Sequence, residues 1–176
     1  MAALTLVEVS SAWEQQIQDY RRAFPKDREQ VTPEPDRIPG LDGLEAFSSV
    51  REWVAYCASM RGKITWYLAV RESDGRAVGA LVLRHLLAYD DDDPEFCSHI
   101  GYSIRPDERR KGYAKEQLRL GLKKAKALGL PSVRLICRDT NIGSDKTIRA
   151  CGGVYVDTLH GEESGMNVNR YDIFLS

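Results

Sequence analysis

Arg109, Arg110, Lys111, Gly112 and Ala114 form an R-x-x-G-x-A pattern between a short apolar run and a long amphipathic one. A glycine at that place lets successive backbone N–H groups turn toward one point. The helix that follows adds its unpaired first-turn N–H groups and the positive end of its dipole. The arginines and the lysine add further positive charge. Such a segment suits the binding of an anion, with phosphate or pyrophosphate as the natural guest. The same residues also read as a surface turn ahead of an amphipathic helix, because a short motif carries little without its context.

That context is set by the flanking elements. His99 to Ile104 reads as a strand that stops at Pro106, and Ala114, Leu118, Leu122, Ala125 and Leu128 recur at helical spacing. Leu128-Gly129-Leu130-Pro131 ends that helix, and Val133 to Cys137 alternates as a short strand. Asn141 is a natural cap for a last helix that Gly152-Gly153 closes.

In sequence, the motifs are a strand, a proline, Arg109-x-x-Gly112-x-Ala114 opening a helix, a strand, Asn141, Ser144 and Gly152. This order resembles the acetyl-CoA-binding half of the GNAT superfamily of acyl-CoA N-acyltransferases. The likeness runs from about Leu68 to the C-terminus, while the first sixty residues match by element order alone. The Pro33-to-Phe47 region and the Gly-Gly ending look like an uncharacterised small-molecule-type branch. The resemblance implies an α/β fold, an α+β mixed sheet whose central splayed parallel strands are flanked by helices, as one domain over residues 1–176. Pantetheine would lie in the gap between the two strands, met by main-chain groups of Ser103 and Ile104. The pyrophosphate would sit on Arg109, Arg110, Lys111, Gly112, Tyr113 and Ala114, with Asn141 and Ser144 as further contacts. The implied activity is acetyl transfer from acetyl-CoA, a co-substrate, to a primary amine of a small molecule by direct attack in a ternary complex. Two alternatives stand beside it, a non-catalytic acetyl-CoA-binding module and an acetyltransferase for a protein N-terminus or lysine. Homodimerisation is a further family expectation, and a metal is not expected.

Acetyl transfer needs a neutral amine, an acyl carbon held close to it and stabilisation of the departing thiolate. Some relatives carry a glutamate early in the central strand, where this chain has Ser98. Many carry a tyrosine in the last helix, where this chain has Ile148. Ser98, His99 and Glu95 are the substitutes the sequence offers. His99 would relay a proton near neutral pH. Adjacent strand residues face opposite sides, so Ser98 and His99 cannot both point into one cleft. A structural histidine and a solvated carboxylate are the plainer readings of His99 and Glu95. Tyr102, Tyr155 and Tyr171 are proton donors or core residues, and His85 and His160 have no partner spacing.

A chain of 176 residues with net charge near zero has the size of one domain and offers no basic surface for nucleic acid. No apolar run has membrane-spanning length and the first residues lack a signal-peptide core, so a cytoplasmic location is expected. Cys57, Cys97, Cys137 and Cys151 lie far apart, which favours reduced thiols over zinc ligation. In the first half, Leu4, Leu6 and Val9 suggest a strand, and Ser10-Ser11 could cap a helix carrying Trp13, Ile17 and Tyr20. Proline and charge make Pro25 to Gly40 a loop, and a second helix is expected from Asp42 or Gly43 to about Met60. Thr65 to Arg71 and Ala77 to Leu87 read as a hairpin around Ser73-Asp74-Gly75, with Gly79 marking a bulge or a close approach. Asp90 to Asp93 form an acidic turn whose field would attract a cationic amine. Val154 to Leu159 and Tyr171 to Leu175 are the last expected strands.

Overall fold

The computed structural model describes residues 3–24, 37–87, 97–161 and 165–175. Strands β1 (Leu4–Glu8), β2 (Ile64–Arg71), β3 (Arg76–Arg84) and β4 (Ile100–Ile104) form an antiparallel sheet in the order β1-β2-β3-β4. Strands β5 (Ser132–Arg138), β6 (Val154–His160) and β7 (Asn167–Phe174) form a second, in the order β5-β7-β6. The helices are α1 (Glu14–Arg22), α2 (Val50–Ser59), α3 (Tyr113–Ala127) and α4 (Ile142–Ala150).

Period-two alternation divides the first sheet between two cores. Trp66, Leu68 and Val70 pack with Ile17, Tyr20, Trp53 and Val54 of α1 and α2. Tyr67 and Ala69 pack on the other side with Leu118 and Ala125 of α3. With both faces covered, β3 is a nearly unbroken apolar run. Among the described residues, helices cover the second sheet on one face only. Val133, Leu135 and Cys137 lie in the core with Tyr171 and Ile173 of β7, whereas Arg134, Ile136 and Arg138 alternate to the other side and are half-buried.

The two sheets meet at the start of β4, where the His99 N–H donates to Arg134 O at 2.8 Å. At the far end, the Tyr102 hydroxyl lies 3.0 Å from Ser144 Oγ, just beyond β5. Starts meet starts and ends face ends, so β4 and β5 run in the same sense. No ladder joins them among the described residues, and past the junction they splay. The sequence-level expectation of splayed parallel strands is met in this form, within sheets whose own ladders are all antiparallel.

Several boundaries differ from those read in the sequence. The second helix begins at Val50, where Ser49 Oγ accepts from the Glu52 N–H. Left-handed Gly43 and extended Phe47 bracket a short 3-10 turn over Leu44–Ala46, which halts the helical pattern before it. Ser10 makes no side-chain cap. β7 starts at Asn167, earlier than its apolar residues suggest, because cross-strand bonds satisfy its polar side chains. Thr158 Oγ1 donates to Asn169 Oδ1 at 2.7 Å, and His160 Nδ1 meets Asn167 Oδ1 at 2.8 Å.

Gly79 answers both of its sequence readings. The register slips beside it, and a Cβ there would lie 1.7 Å from Gln117 Oε1 of α3. Gly40, at φ +92°, presses onto β3 so closely that a Cβ would lie 2.4 Å from Ala80 O. Most of the Pro25-to-Gly40 loop and the Asp90–Asp93 run with Glu95 lie outside the described residues.

Candidate active site

β4 leads into a 3-10 turn over Pro106–Glu108, and the chain then reverses through Arg109, Arg110 and Lys111 to Gly112, the N-cap of α3. Arg110 at φ +62° and Gly112 at φ +84° are both left-handed, which a glycine adopts freely and an arginine only under constraint. Among the described residues no acceptor meets the N–H groups of Arg110, Lys111, Gly112, Tyr113, Ala114 or Lys115. They gather at the positive end of a four-turn helix.

The side chains here mostly support the loop. Arg109 Nε donates to Ile104 O at 3.2 Å, and its guanidinium carbon stands 5.9 Å from the centre of the Phe24 ring. Tyr113 is buried, its hydroxyl accepting from Arg71 Nη1 at 3.3 Å. Lys111 Nζ donates to Glu108 Oε2 at 2.7 Å. Arg110 has no side-chain partner among the described residues.

Glu108 is the residue that sequence reasoning missed. It is 2% exposed and also accepts from Arg71 Nη1 at 3.0 Å and Arg76 Nη1 at 2.6 Å. Burial works against its ionised form, but the Lys111 hydrogen bond and the Arg71 charge outweigh it and hold the carboxyl below its usual range. Its three-residue spacing ahead of Lys111 was the available signal.

The splayed gap is built from both strands. Arg84 N–H to His99 O and Arg105 N–H to Val78 O fix the phase of the β3–β4 ladder. Bonding alternates along an antiparallel pair, so Ser103 gives its main chain to β3, while Tyr102 and Ile104 turn theirs toward β5. Of the expected pair, Ile104 faces the gap and Ser103 does not; Tyr102 takes its place. The Ser103 side chain is committed as well, donating to Pro39 O and lying 3.0 Å from the hydroxyl of fully buried Tyr20. Asn141 Oδ1 accepts from the Ser144 N–H at 3.1 Å and so caps α4.

His99 joins the strands. Besides its main-chain bond to Arg134, its Nδ1 accepts from the Arg134 N–H at 2.9 Å, which leaves the proton on Nε2. Burial, then the Arg134 charge, pushes its pKa down and keeps the ring neutral. Ser98 is buried, and its carbonyl accepts from Arg84 Nη1 at 3.2 Å. Asp42 covers the neighbouring Gly101. Its carboxylate pairs with Arg37 at 2.7 Å, and its carbonyl accepts from the indoles of Trp53 and Trp66 at 3.2 Å each. Ile148, at the usual tyrosine position, is fully buried. The Tyr102 phenol is pushed up by burial and stays protonated. Tyr171 is pushed up to about 12 by burial and by its hydrogen bond to Asp145. A cleft of about 400 Å³, lined by Gln16, Arg22, Arg76 and Arg105 among others, opens beside α1 and not over the gap. Among the described residues no group of His, Cys, Asp or Glu could hold a metal ion.

Residues 13–154 match the profile of the acetyltransferase (GNAT) domain, most of the chain and all of the gap and loop. The chain belongs to the GNAT family of N-acetyltransferases. None of the curated proteins compared with it by sequence matches. Among solved structures, the ribosomal-protein-S5-alanine acetyltransferase of Vibrio fischeri has a TM-score of 0.76 at 15% identity, over 100% of this chain and 95% of that one. RimL, a ribosomal L7/L12 alpha-N-protein acetyltransferase with coenzyme A disulfide-bonded to one of its cysteines, has 0.75 at 15%, over 99% and 96%. A chimera of the Vibrio cholerae spermidine N-acetyltransferase SpeG with hSSAT has 0.71 at 16%, over 99% and 96%. Likeness at these identities shows the GNAT fold. No described helix of this GNAT chain is long and apolar enough to cross a membrane.

Proposed function

We propose that the chain transfers an acetyl group from acetyl-CoA to a primary amine of a small molecule, by direct attack within a ternary complex. The observation that carries this reading is the set of unpartnered N–H groups from Arg110 to Lys115, which fits a pyrophosphate. The edge of β4 that faces the gap, at Tyr102 and at the Ile104 N–H, fits the amides of a pantetheine arm, which would pair there as an added strand does. The thioester supplies an activated acyl carbon, and the chain's own task is to hold it and the amine in line. Tyr102, protonated and level with Ser144 at the gap, is the hydroxyl placed to hydrogen-bond the departing sulfur. With His99 Nδ1 occupied, deprotonation of the amine falls, among the described residues, to water, and turnover rises with pH toward the amine's own pKa.

A second reading, binding without turnover, is favoured by one observation, the fully buried Ile148 where relatives carry an acid. The named functions of the structural neighbours, which divide between ribosomal-protein acetylation and spermidine acetylation, add protein amines to the screen. Isothermal titration with acetyl-CoA, beside Gly112→Asp, tests the loop. The variant places a carboxylate and a strained left-handed residue among the N–H donors, and its affinity should fall by about a hundredfold or more. Equal affinity in the two proteins would remove the site. A panel of small amines and peptides then separates turnover from binding alone.

A further inference from the structure

Among the described residues, one cation beside the gap, Arg138, has no hydrogen-bond or ion-pair partner. Arg138 closes β5, and its Nε is buried without a hydrogen-bond partner. Its neighbours on the outer face of the second sheet are matched. Arg134 Nε donates to Asp172 at 2.9 Å, and Arg170 makes a two-pronged pair with Asp157. Register sets Arg134 opposite Asp172, Ile136 opposite Arg170 and Arg138 opposite Val168, an apolar residue with no charge to give. Buried polar groups are ordinarily paired, so an orphaned guanidinium nitrogen calls for a partner that arrives from outside.

Its place in the fold says which partner. From the His99–Arg134 junction, four residues along each strand bring Ser103 on β4 and Arg138 on β5, where the gap has opened. Alternation puts Arg138 on the face away from Val133, Leu135 and Cys137, hence away from α3 and its anion loop. On that same side lie Gly101 and Arg84 of the first sheet, with Asp42 from the turn that covers them. The anion loop and Arg138 therefore address different molecules.

We infer that Arg138 is the acceptor-recognition residue, and that the acceptor is a small amine that also carries a carboxylate, as in an amino acid. This rests on the acetyltransferase reading above. A planar guanidinium fork matches a carboxylate in two parallel hydrogen bonds, and one uncompensated positive charge matches one negative charge.

The test pairs amino acids with their amides and with phosphoethanolamine as acceptors, using acetyl-CoA and comparing wild type with Arg138→Gln and Arg138→Lys. The expected result is a kcat/KM preference for carboxylate over amide of about tenfold or more in wild type, carried mainly in KM. That preference should collapse toward unity in Arg138→Gln and be partly kept in Arg138→Lys. Equal use of acid and amide by the wild type, a preference that survives Arg138→Gln, or a preference for the phosphorylated amine would each overturn the assignment. So would a parallel loss of acetyl-CoA affinity in the variant, which would move Arg138 to the other substrate. Should no acceptor turn over, the acetyltransferase reading fails by itself. N-acetylated amino acids and their amides titrated into CoA-saturated protein then decide the inference, and equal binding of the two by wild type would end it.

Discussion

β4 and β5 border the same gap but are held in opposite ways. β4 is bonded along one edge to β3, and its side chains are fixed from above. Ser103 is tied to Pro39 and Tyr20, Gly101 lies under Asp42, and Ile104 O is taken by Arg109. β5 is bonded to β7, and its outer face carries pairs of arginine and aspartate with no described helix over them. A cofactor shared across a family needs a fixed seat made of main chain. An acceptor that differs between relatives is met by side chains that change at low cost to the fold.

The largest effect should come from the first sheet, at β3 behind β4. Gly40→Ala puts a Cβ against Ala80 O in a left-handed backbone and should cost about 3 kcal/mol or more, read by denaturant unfolding. Next comes Glu108→Ala, which leaves Arg71, Arg76 and Lys111 facing one another. A loss of about 2 kcal/mol is expected, smaller than for a wholly buried pair because Arg76 and Lys111 remain partly in water. It should weaken acetyl-CoA binding by releasing the loop, and unchanged affinity would show that the loop holds its shape alone.

His99 sharpens the comparison through pH. Its folded pKa lies below the unfolded value of about 6.5, so the folded state binds the proton less well than the unfolded chain. Its contribution is present above about pH 6.5 and is lost as the pH falls below that. Wild type should lose melting temperature from pH 7 to 5 more steeply than His99→Gln, and parallel curves would contradict the clasp. The smallest effect belongs to the outer face of β5. Asp172→Asn breaks a half-exposed pair and should cost under about 1 kcal/mol at moderate salt.

What could be read in the sequence follows the same division. Gly112, Gly79, the Asn141 cap and the Ser73-Asp74-Gly75 turn were legible because each meets a local backbone demand that few residues satisfy. The start of α2 was misplaced because Leu44, Phe47 and Val50 keep helical spacing even though Gly43 and Phe47 break the backbone. That Tyr102 and not Ser103 turns its main chain to the gap depends on ladder phase, which a lone strand does not reveal. Glu108 and Arg138 look like surface charges until the folded chain shows one surrounded by cations and the other without a partner among the described residues.

The ion pair of Lys111 with Glu108 bears on how binding responds to salt. Cations already neutralised within the protein hold few counterions, and dissolved ions screen buried dipoles poorly. Despite its run of Arg-Arg-Lys, the loop should show an affinity for acetyl-CoA that declines between 50 and 500 mM salt about as two charges, Arg109 and Arg110, would dictate.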